Sequence, residues 1–168
     1  MLTRADPEVA LSLLERYFTL DDRFDDAQAY VDRANAYISL SRFEDAVSSY
    51  EAALSREEEF PNLKTQAYVE LPYLISLRSL EAHYERALQV LQAYQSRLLF
   101  PVDHFKWHAA SALIAVARKD NPVARKHARN ALDSASKDHS GFRYHPTIGL
   151  ISDAHNDALQ RLRGLCDS

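Results

Sequence analysis

Glycine and proline are scarce in this sequence, with 3 and 6 residues among 168. A fold with many tight hairpins needs more of both, so their scarcity excludes a predominantly β protein and favours an all-helical one. The single cysteine, Cys166, cannot form an intrachain disulfide, which favours a cytoplasmic location. No uncharged stretch approaches the roughly 18 residues that a membrane span requires, so we expect no membrane association.

The charges are unevenly distributed along the chain. Residues 1–84 contain 8 Lys and Arg against 16 Asp and Glu, whereas residues 85–168 contain 12 against 8. A basic cluster with interleaved aromatics can bind single-stranded nucleic acid, but the isoelectric point of about 6.0 argues against that partner. We therefore expect a solvated face or an acidic protein partner at this cluster, which comprises Arg118, Lys119, Arg125, Lys126 and Arg129.

The clearest local pattern is a helical hairpin that begins at Ala27. Apolar and small residues recur at helical spacing on two successive segments: Tyr30, Ala34 and Tyr37, then Ala46, Tyr50, Ala53 and Leu54. Between the segments, Ser41 and Glu44 form an S-x-x-E pattern that predicts a capping box at the start of the second helix. The small Ala34 and Ala46 predict a close approach of the two helices.

This segment resembles the tetratricopeptide repeat. The 34-residue pattern of that family is matched at six positions, by Tyr30, Ala34, Tyr37, Ala46, Tyr50 and Ala53. It departs from the pattern at Arg33, where leucine is usual, and at Glu58, because the expected proline comes three residues late as Pro61. The resemblance implies an all-α, antiparallel array of helical hairpins, a TPR-like α-solenoid.

Related segments recur along the chain around Ala10, Ala46, Ala87 and Ala124. We therefore predict a single domain of about seven or eight helices, in which Pro72 kinks or shifts one helix. Asp6–Pro7 and Asn121–Pro122 are predicted helix starts. The predicted divisions are an N-terminal helix in 1–26, repeats at 27–60, 61–98 and 103–136, an ordered loop at 137–151 and a C-terminal capping helix at 152–168.

The sequence contains no enzyme signature. It lacks a glycine-rich phosphate loop and a G-x-S-x-G elbow, and Cys166 has no base beside it, so we predict no catalytic residues and no cofactor. His104 and His108 share a helical spacing, and His139 and His145 lie in the predicted loop. These four could form a metal site, but HFKWH lacks the glutamate of the hydrolytic zinc motif, and half-buried packing histidines are the favoured interpretation.

The resemblance implies a binding groove lined by the first helix of each repeat. Transferring the groove positions gives, among others, Asn35, Ile38, Ser76, Lys106 and Leu113. This surface lacks the cations of a carboxylate clamp, so we expect it to bind an amphipathic helix or an extended apolar peptide of a partner protein. The predicted function is a non-enzymatic interaction module or adaptor. The alternative is a small metal-binding or nucleic-acid-associated protein on the same scaffold, and homo-oligomerisation stays open.

The segment from His139 to Leu150 breaks the repeat pattern. Its apolar residues predict a loop that packs against the third hairpin, near Trp107 or the start of the second helix of that hairpin. Arg143 would then point outward or pair with an acid, and Arg143 with Tyr144 would give a partner an aromatic and basic edge. The alternative is that the loop only seals the last repeat.

Overall fold

The computed structural model describes residues 6–20 and 25–167, and this part of the chain is helical, without strands. Its eight α-helices confirm the predicted all-α class and helix number. They are α1 (Pro7–Phe18), α2 (Asp26–Ser39), α3 (Phe43–Glu59), α4 (Ala67–Leu77), α5 (Tyr84–Tyr94), α6 (Pro101–Ala117), α7 (Asn121–Ala135) and α8 (Asn156–Asp167). Short 3-10 helices lie at Glu81–His83, Gln95–Arg97 and Asp153–His155.

The chain divides into two compact units, of which the first ends at Leu74 and the second begins at Ile75. The division falls inside α4, which runs through Pro72 without ending there. None of the helices in residues 6–20 and 25–167 is both long and apolar enough to cross a membrane.

In the first unit, α2 and α3 form a hairpin and α1 packs against α2. Ala34, Ala46 and Tyr50 are buried, which confirms them as core residues of this hairpin. The carboxylate of Asp6 accepts hydrogen bonds from the N–H groups of Glu8 and Val9, so the predicted cap at Asp6–Pro7 is also confirmed.

Arg33 occupies a place where the family pattern has leucine, and the structure shows how the hairpin accommodates it. Its guanidinium lies 5.1 Å from the centroid of the Phe18 ring and 4.8 Å from that of the Tyr30 ring. Its Nε donates a hydrogen bond of 3.0 Å to Ser49 Oγ on the facing helix. Stacking on aromatic faces thus covers the side chain while the polar head stays hydrogen-bonded.

In the second unit, α6 and α7 form the corresponding hairpin, and α8 packs against both. The predicted core residues of this unit are buried: Ala87, Leu91, Ala124 and Ala128. Arg161 on α8 donates a hydrogen bond of 2.8 Å to the carbonyl of Leu77, so the last helix is tied to the end of α4. The loop between α7 and α8 is free of helix from Ser136 to Ser152, close to the predicted bounds.

Three helices end in the same turn, and the predicted capping box at Ser41 is wrong. Ser41, Ser79 and Lys119 follow α2, α4 and α6 and adopt positive φ angles of 58°, 53° and 62°. In each case the N–H of the following residue donates a hydrogen bond to the carbonyl five residues before it. These bonds join Arg42 N to Tyr37 O, Leu80 N to Ile75 O and Asp120 N to Ala115 O, each at 2.9 Å. This is the Schellman motif, in which the left-handed residue is usually glycine. Ser41 therefore closes α2 and does not start α3, whose N-cap is Arg42.

Two further helix starts differ from the sequence prediction. The N-cap of α7 is Asp120, whose carboxylate accepts from Val123 N at 3.2 Å, so Asn121 is already the first helical residue. Helix α8 begins at Asn156, because Asp153–His155 forms a 3-10 turn ahead of it. In both places several consecutive polar residues can cap a helix, and spacing alone does not select among them.

Candidate functional site

The surface of the second unit where α6 and α7 meet carries two cavities, which we call the apolar cavity and the histidine cavity. The apolar cavity, of about 510 Å³, lies between α5, α6 and the first turns of α7. The histidine cavity, of about 470 Å³, lies between the first half of α6, the second half of α7 and the following loop. Both are lined by one row of α6 side chains at helical spacing: His104, His108, Ser111, Ala115 and Arg118.

The apolar cavity has aliphatic and aromatic walls and a polar rim. Its walls include Leu88, Leu91, Trp107, Ile114, Ala115 and Val123. Gln92, Gln95, Arg118, Asp120 and His127 supply polar groups around them. Val123 is 39% exposed, so part of the apolar lining is open to water. Apolar walls with a few polar groups around them are typical of sites that bind a side chain of a partner or a small ligand.

Trp107 is fixed in the wall of the apolar cavity. Its indole Nε1 donates a hydrogen bond of 2.9 Å to the carbonyl of Leu91 on α5. The ring packs edge-on against His108, with centroids 4.9 Å apart, and lies 5.5 Å from His127. Because Trp107 is the only tryptophan in the chain, its fluorescence reports on this site alone.

His108 on α6 and His127 on α7 form a histidine pair, with their Nδ1 atoms 3.0 Å apart. Burial, followed by the neighbouring His127, His104 and Lys126, lowers the pKa of His108 to about 4. Burial, followed by the charge of Lys126, also lowers the pKa of His127. Both rings are therefore neutral at neutral pH, and one Nδ1 donates to the other. His108 lines the histidine cavity and His127 lines the apolar cavity.

The histidine cavity gathers three of the four histidines that the sequence raised as metal ligands. His104, His108 and His139 line it, whereas His145 does not. The Nδ1 of His139 accepts a hydrogen bond of 2.8 Å from Gly141 N, and Asp133 forms an ion pair with Lys137 at 3.3 Å. Within residues 6–20 and 25–167, no three His, Cys, Asp or Glu side chains are arranged to hold a metal ion.

The loop from His139 to Leu150 packs against the hairpin of α6 and α7, which is the predicted third hairpin, but at a different place from the predicted one. Gly149 O accepts a hydrogen bond of 2.8 Å from Val102 N, and the Phe142 ring lies 5.3 Å from the Phe100 ring. The loop therefore covers the start of α6, and the prediction of contacts near Trp107 or the start of α7 is wrong. The loop packs on Phe100, which precedes the first residue of α6. The spacing of the repeat does not predict this contact.

The predicted edge of this loop points into solvent. Tyr144 is 80% exposed, and the guanidinium of Arg143 lies 5.5 Å from its ring centroid. Arg143 forms no ion pair within the described part of the chain, so of the two predicted orientations the structure has the outward one. The backbone beneath is held by Ser140, which bonds through its N–H to Pro146 O and through its hydroxyl to His145 O, both at 2.7 Å.

The other predicted binding residues are scattered. Asn35 is exposed and its Oδ1 accepts a hydrogen bond of 3.0 Å from the Tyr50 hydroxyl, while Ile38 is half-buried. Lys106 is half-buried, whereas Ser76 and Leu113 are buried. None of the seven predicted residues lines the apolar or the histidine cavity. His104, His108 and Arg118 had other predicted roles, and the row that they form with Ser111 and Ala115 was not predicted, because the repeat pattern transfers positions on a different face of α6.

A smaller cavity of about 240 Å³ lies in the first unit, beside Phe18, Tyr30 and Arg56. Arg56 is 9% exposed, and its guanidinium forms ion pairs with Asp26 and Glu59 and stacks on the Phe60 ring. The cation is thus compensated from within the same unit, and the cavity presents no unbalanced charge to a ligand.

Comparison with known protein families, with curated proteins and with solved structures gives no match for this chain.

Proposed function

We propose that this chain is a non-enzymatic protein-interaction module, related in design to tetratricopeptide repeats, that binds a helix or peptide of a partner protein. Two helical hairpins with buried small residues, α2–α3 and α6–α7, support the repeat design. The three Schellman turns, which close α2, α4 and α6 with the same hydrogen bonds, support a repeated unit. The single cysteine supports a cytoplasmic location.

The observation that carries this proposal is the apolar cavity. Its aliphatic walls and the Trp107 ring offer a surface that water solvates poorly, and its rim groups orient an occupant. An amphipathic helix that places its apolar residues in such a groove is a common mode of peptide recognition. Binding of this kind draws most of its energy from a few buried apolar side chains.

The titration behaviour of the site also favours binding over catalysis. Burial lowers the pKa of His108 and His127, and their Nδ1 atoms face each other. Three serine hydroxyls line the two cavities: Ser111 donates to the carbonyl of Trp107, Ser134 to that of Asn130 and Ser140 to that of His145. None of these hydroxyls donates to an imidazole, so the pair does not form the nucleophile and base arrangement that acyl transfer requires.

A displayed library of amphipathic helical peptides tests this proposal, with Trp107 emission as the binding signal. Val123→Asp places a charge in the apolar wall, and because Val123 is in the first turn of α7 the acid is compatible with the helix. Peptides selected on the natural chain should bind this variant at least about tenfold more weakly. The control is Val116→Asp, at a residue that is 37% exposed and outside the cavity lining; because it lies in the last turn of α6, circular dichroism checks that the variant folds. Equal loss in both variants, or no selected peptide at all, refutes the proposal.

A further inference from the structure

Helix α1 in the first unit has two apolar faces. One face is buried: Ala10 and Leu11 pack with Ala36, Tyr37 and Leu40 of α2 and the residue that follows it. On the other face, Val9 and Leu13 are 47% and 49% exposed, and Leu20 just beyond the helix is 58% exposed. Val9 and Leu13 are four residues apart, so they form a continuous apolar row on one side of the helix. Such a row on a surface helix is typical of a binding element.

The two units carry opposite net charge. Residues 1–74 contain 7 Lys and Arg against 15 Asp and Glu, and residues 75–168 contain 13 against 9. The charged residues that line the apolar cavity are Arg118, which pairs with Glu85, and Asp120, which caps α7. Within two residues of the lining in sequence, Lys119, Lys126 and Arg129 are exposed and form no ion pair in the described part of the chain. Alongside the apolar row of α1, the acids Asp6, Glu8 and Glu15 outnumber the one cation, Arg16.

We propose that the apolar cavity of one copy of this protein binds α1 of a second copy, with Val9 and Leu13 as the inserted side chains. The inference rests on the proposed function in one respect, that the apolar cavity is a protein-binding surface. The interface is heterologous, because it joins the first unit of one copy to the second unit of another. In a pair of copies, the copy that contributes its cavity keeps an unused α1 and the copy that contributes its α1 keeps an unused cavity, so further copies can add.

The physical complementarity has two parts. The apolar row removes water from the cavity walls, which include Leu88, Ile114 and Val123. The acidic first unit and the basic second unit attract each other over a distance comparable to the Debye length, so association should weaken as salt rises. A single 12-residue helix buries less area than the interfaces of stable dimers, so we expect a reversible complex with micromolar affinity.

Sedimentation velocity on three forms of the chain tests this interface. The natural chain should associate as its concentration rises from about 1 to about 200 μM, and should do so less at high salt. Val9→Asp blocks the α1 row, and Val123→Asp blocks the cavity. Both acids lie in the first turn of a helix, where they are compatible with folding, which circular dichroism checks. Each variant alone should associate at least about tenfold more weakly than the natural chain.

An equimolar mixture of the two variants is the decisive sample. The Val9→Asp chain retains its cavity and the Val123→Asp chain retains its α1 row, so the mixture should form a one-to-one dimer with the natural affinity and nothing larger. Val116→Asp, outside the cavity lining, should associate like the natural chain. A natural chain that stays monomeric across the range, either variant associating alone like the natural chain, or a mixture without dimer would each overturn the inference.

The peptide selection separates this inference from the proposed function. It is performed in the Val9→Asp background, in which α1 of another copy cannot occupy the cavity. Peptides that bind there in a Val123-dependent way, together with a monomeric natural chain, support the proposed function and overturn the self-association. In the converse result, the mixed variants form dimers but no peptide binds. That result supports self-association and refutes the proposal that the cavity binds a foreign partner.

Discussion

The three Schellman turns predict that glycine stabilises this protein at Ser41, Ser79 and Lys119. All three residues have positive φ angles between 53° and 62°, a region that is unfavourable for residues with a Cβ atom. The hydrogen bonds of each turn involve only backbone groups, so a glycine retains all of them. Each substitution removes conformational strain without removing a contact that closes the turn.

The expected magnitude follows from two opposing terms. Holding a residue with a Cβ in the left-handed region costs about 1–2 kcal/mol, which glycine avoids. Glycine also gains freedom in the unfolded chain, which costs about 0.5–1 kcal/mol of stability. The net gain is about 0.5–1 kcal/mol for each turn. Because the three turns share no hydrogen-bond partner, the gains should add, giving about 1.5–3 kcal/mol for the triple variant.

Urea unfolding, followed by far-ultraviolet circular dichroism, measures the free energy of unfolding of each variant. Ser41→Gly is measured as a single variant, because Ser41 lies in the first unit and the other two residues lie in the second. Ser48→Gly is the matched control, since Ser48 is exposed within α3, where replacing serine by glycine should cost about 0.5 kcal/mol. The two serine variants should therefore shift the unfolding midpoint in opposite directions. If Ser41→Gly destabilises the chain as much as Ser48→Gly does, the reasoning from the left-handed turn is refuted.

Two further predictions concern the histidine pair and the loop. Folding lowers the pKa of both histidines below the value of about 6.5 that they have in an unfolded chain. The free energy of unfolding should therefore keep their full contribution above pH 6.5 and decrease as the pH falls towards 4. His127→Gln should flatten the pH dependence of unfolding, followed by Trp107 fluorescence, and an unchanged slope would contradict the pairing. Gly149→Ala should release the loop, because Gly149 has a φ of 67° and its added Cβ would collide with Phe100. Trypsin should then cut at Arg143 faster than in the natural chain, and equal rates would show that this contact does not hold the loop.

The sequence was sufficient to predict the helices and their core residues, because the buried side of a helix shows as a regular spacing of small and apolar residues. Small residues at Ala34, Ala46, Ala124 and Ala128 recur at spacings that only a helix brings to one side, and all four are buried. The cap at Asp6 was equally readable, since its carboxylate bonds to N–H groups two and three residues away. Information of this range is contained in a short window of sequence.

The turns and the cavities depend on contacts that such a window does not contain. Ser41 fits a capping box in sequence, but its backbone is set by the end of the preceding helix, which needs a left-handed residue there. Leu113 fits a groove position but is buried, because which face of α6 stays open depends on the packing of elements as distant in sequence as α8. The Nδ1 contact between His108 and His127 spans 19 residues and two helices.

The hydrogen bond of the histidine pair has one donor ring and one acceptor ring, and the two rings line different cavities. A neutral imidazole with hydrogen on Nδ1 has a bare Nε2, and one with a bare Nδ1 has hydrogen on Nε2. Since the two Nδ1 atoms share a single hydrogen, the ring that donates offers an acceptor at its far nitrogen, and the ring that accepts offers a donor. An occupant of the apolar cavity that accepts a hydrogen bond from His127 therefore selects one tautomer of His108. Exchange between the two arrangements moves the shared proton across the Nδ1 contact, while Nε2 of one ring releases a proton to solvent and Nε2 of the other ring takes one up, so the hydrogen-bonding character of both far nitrogens changes together.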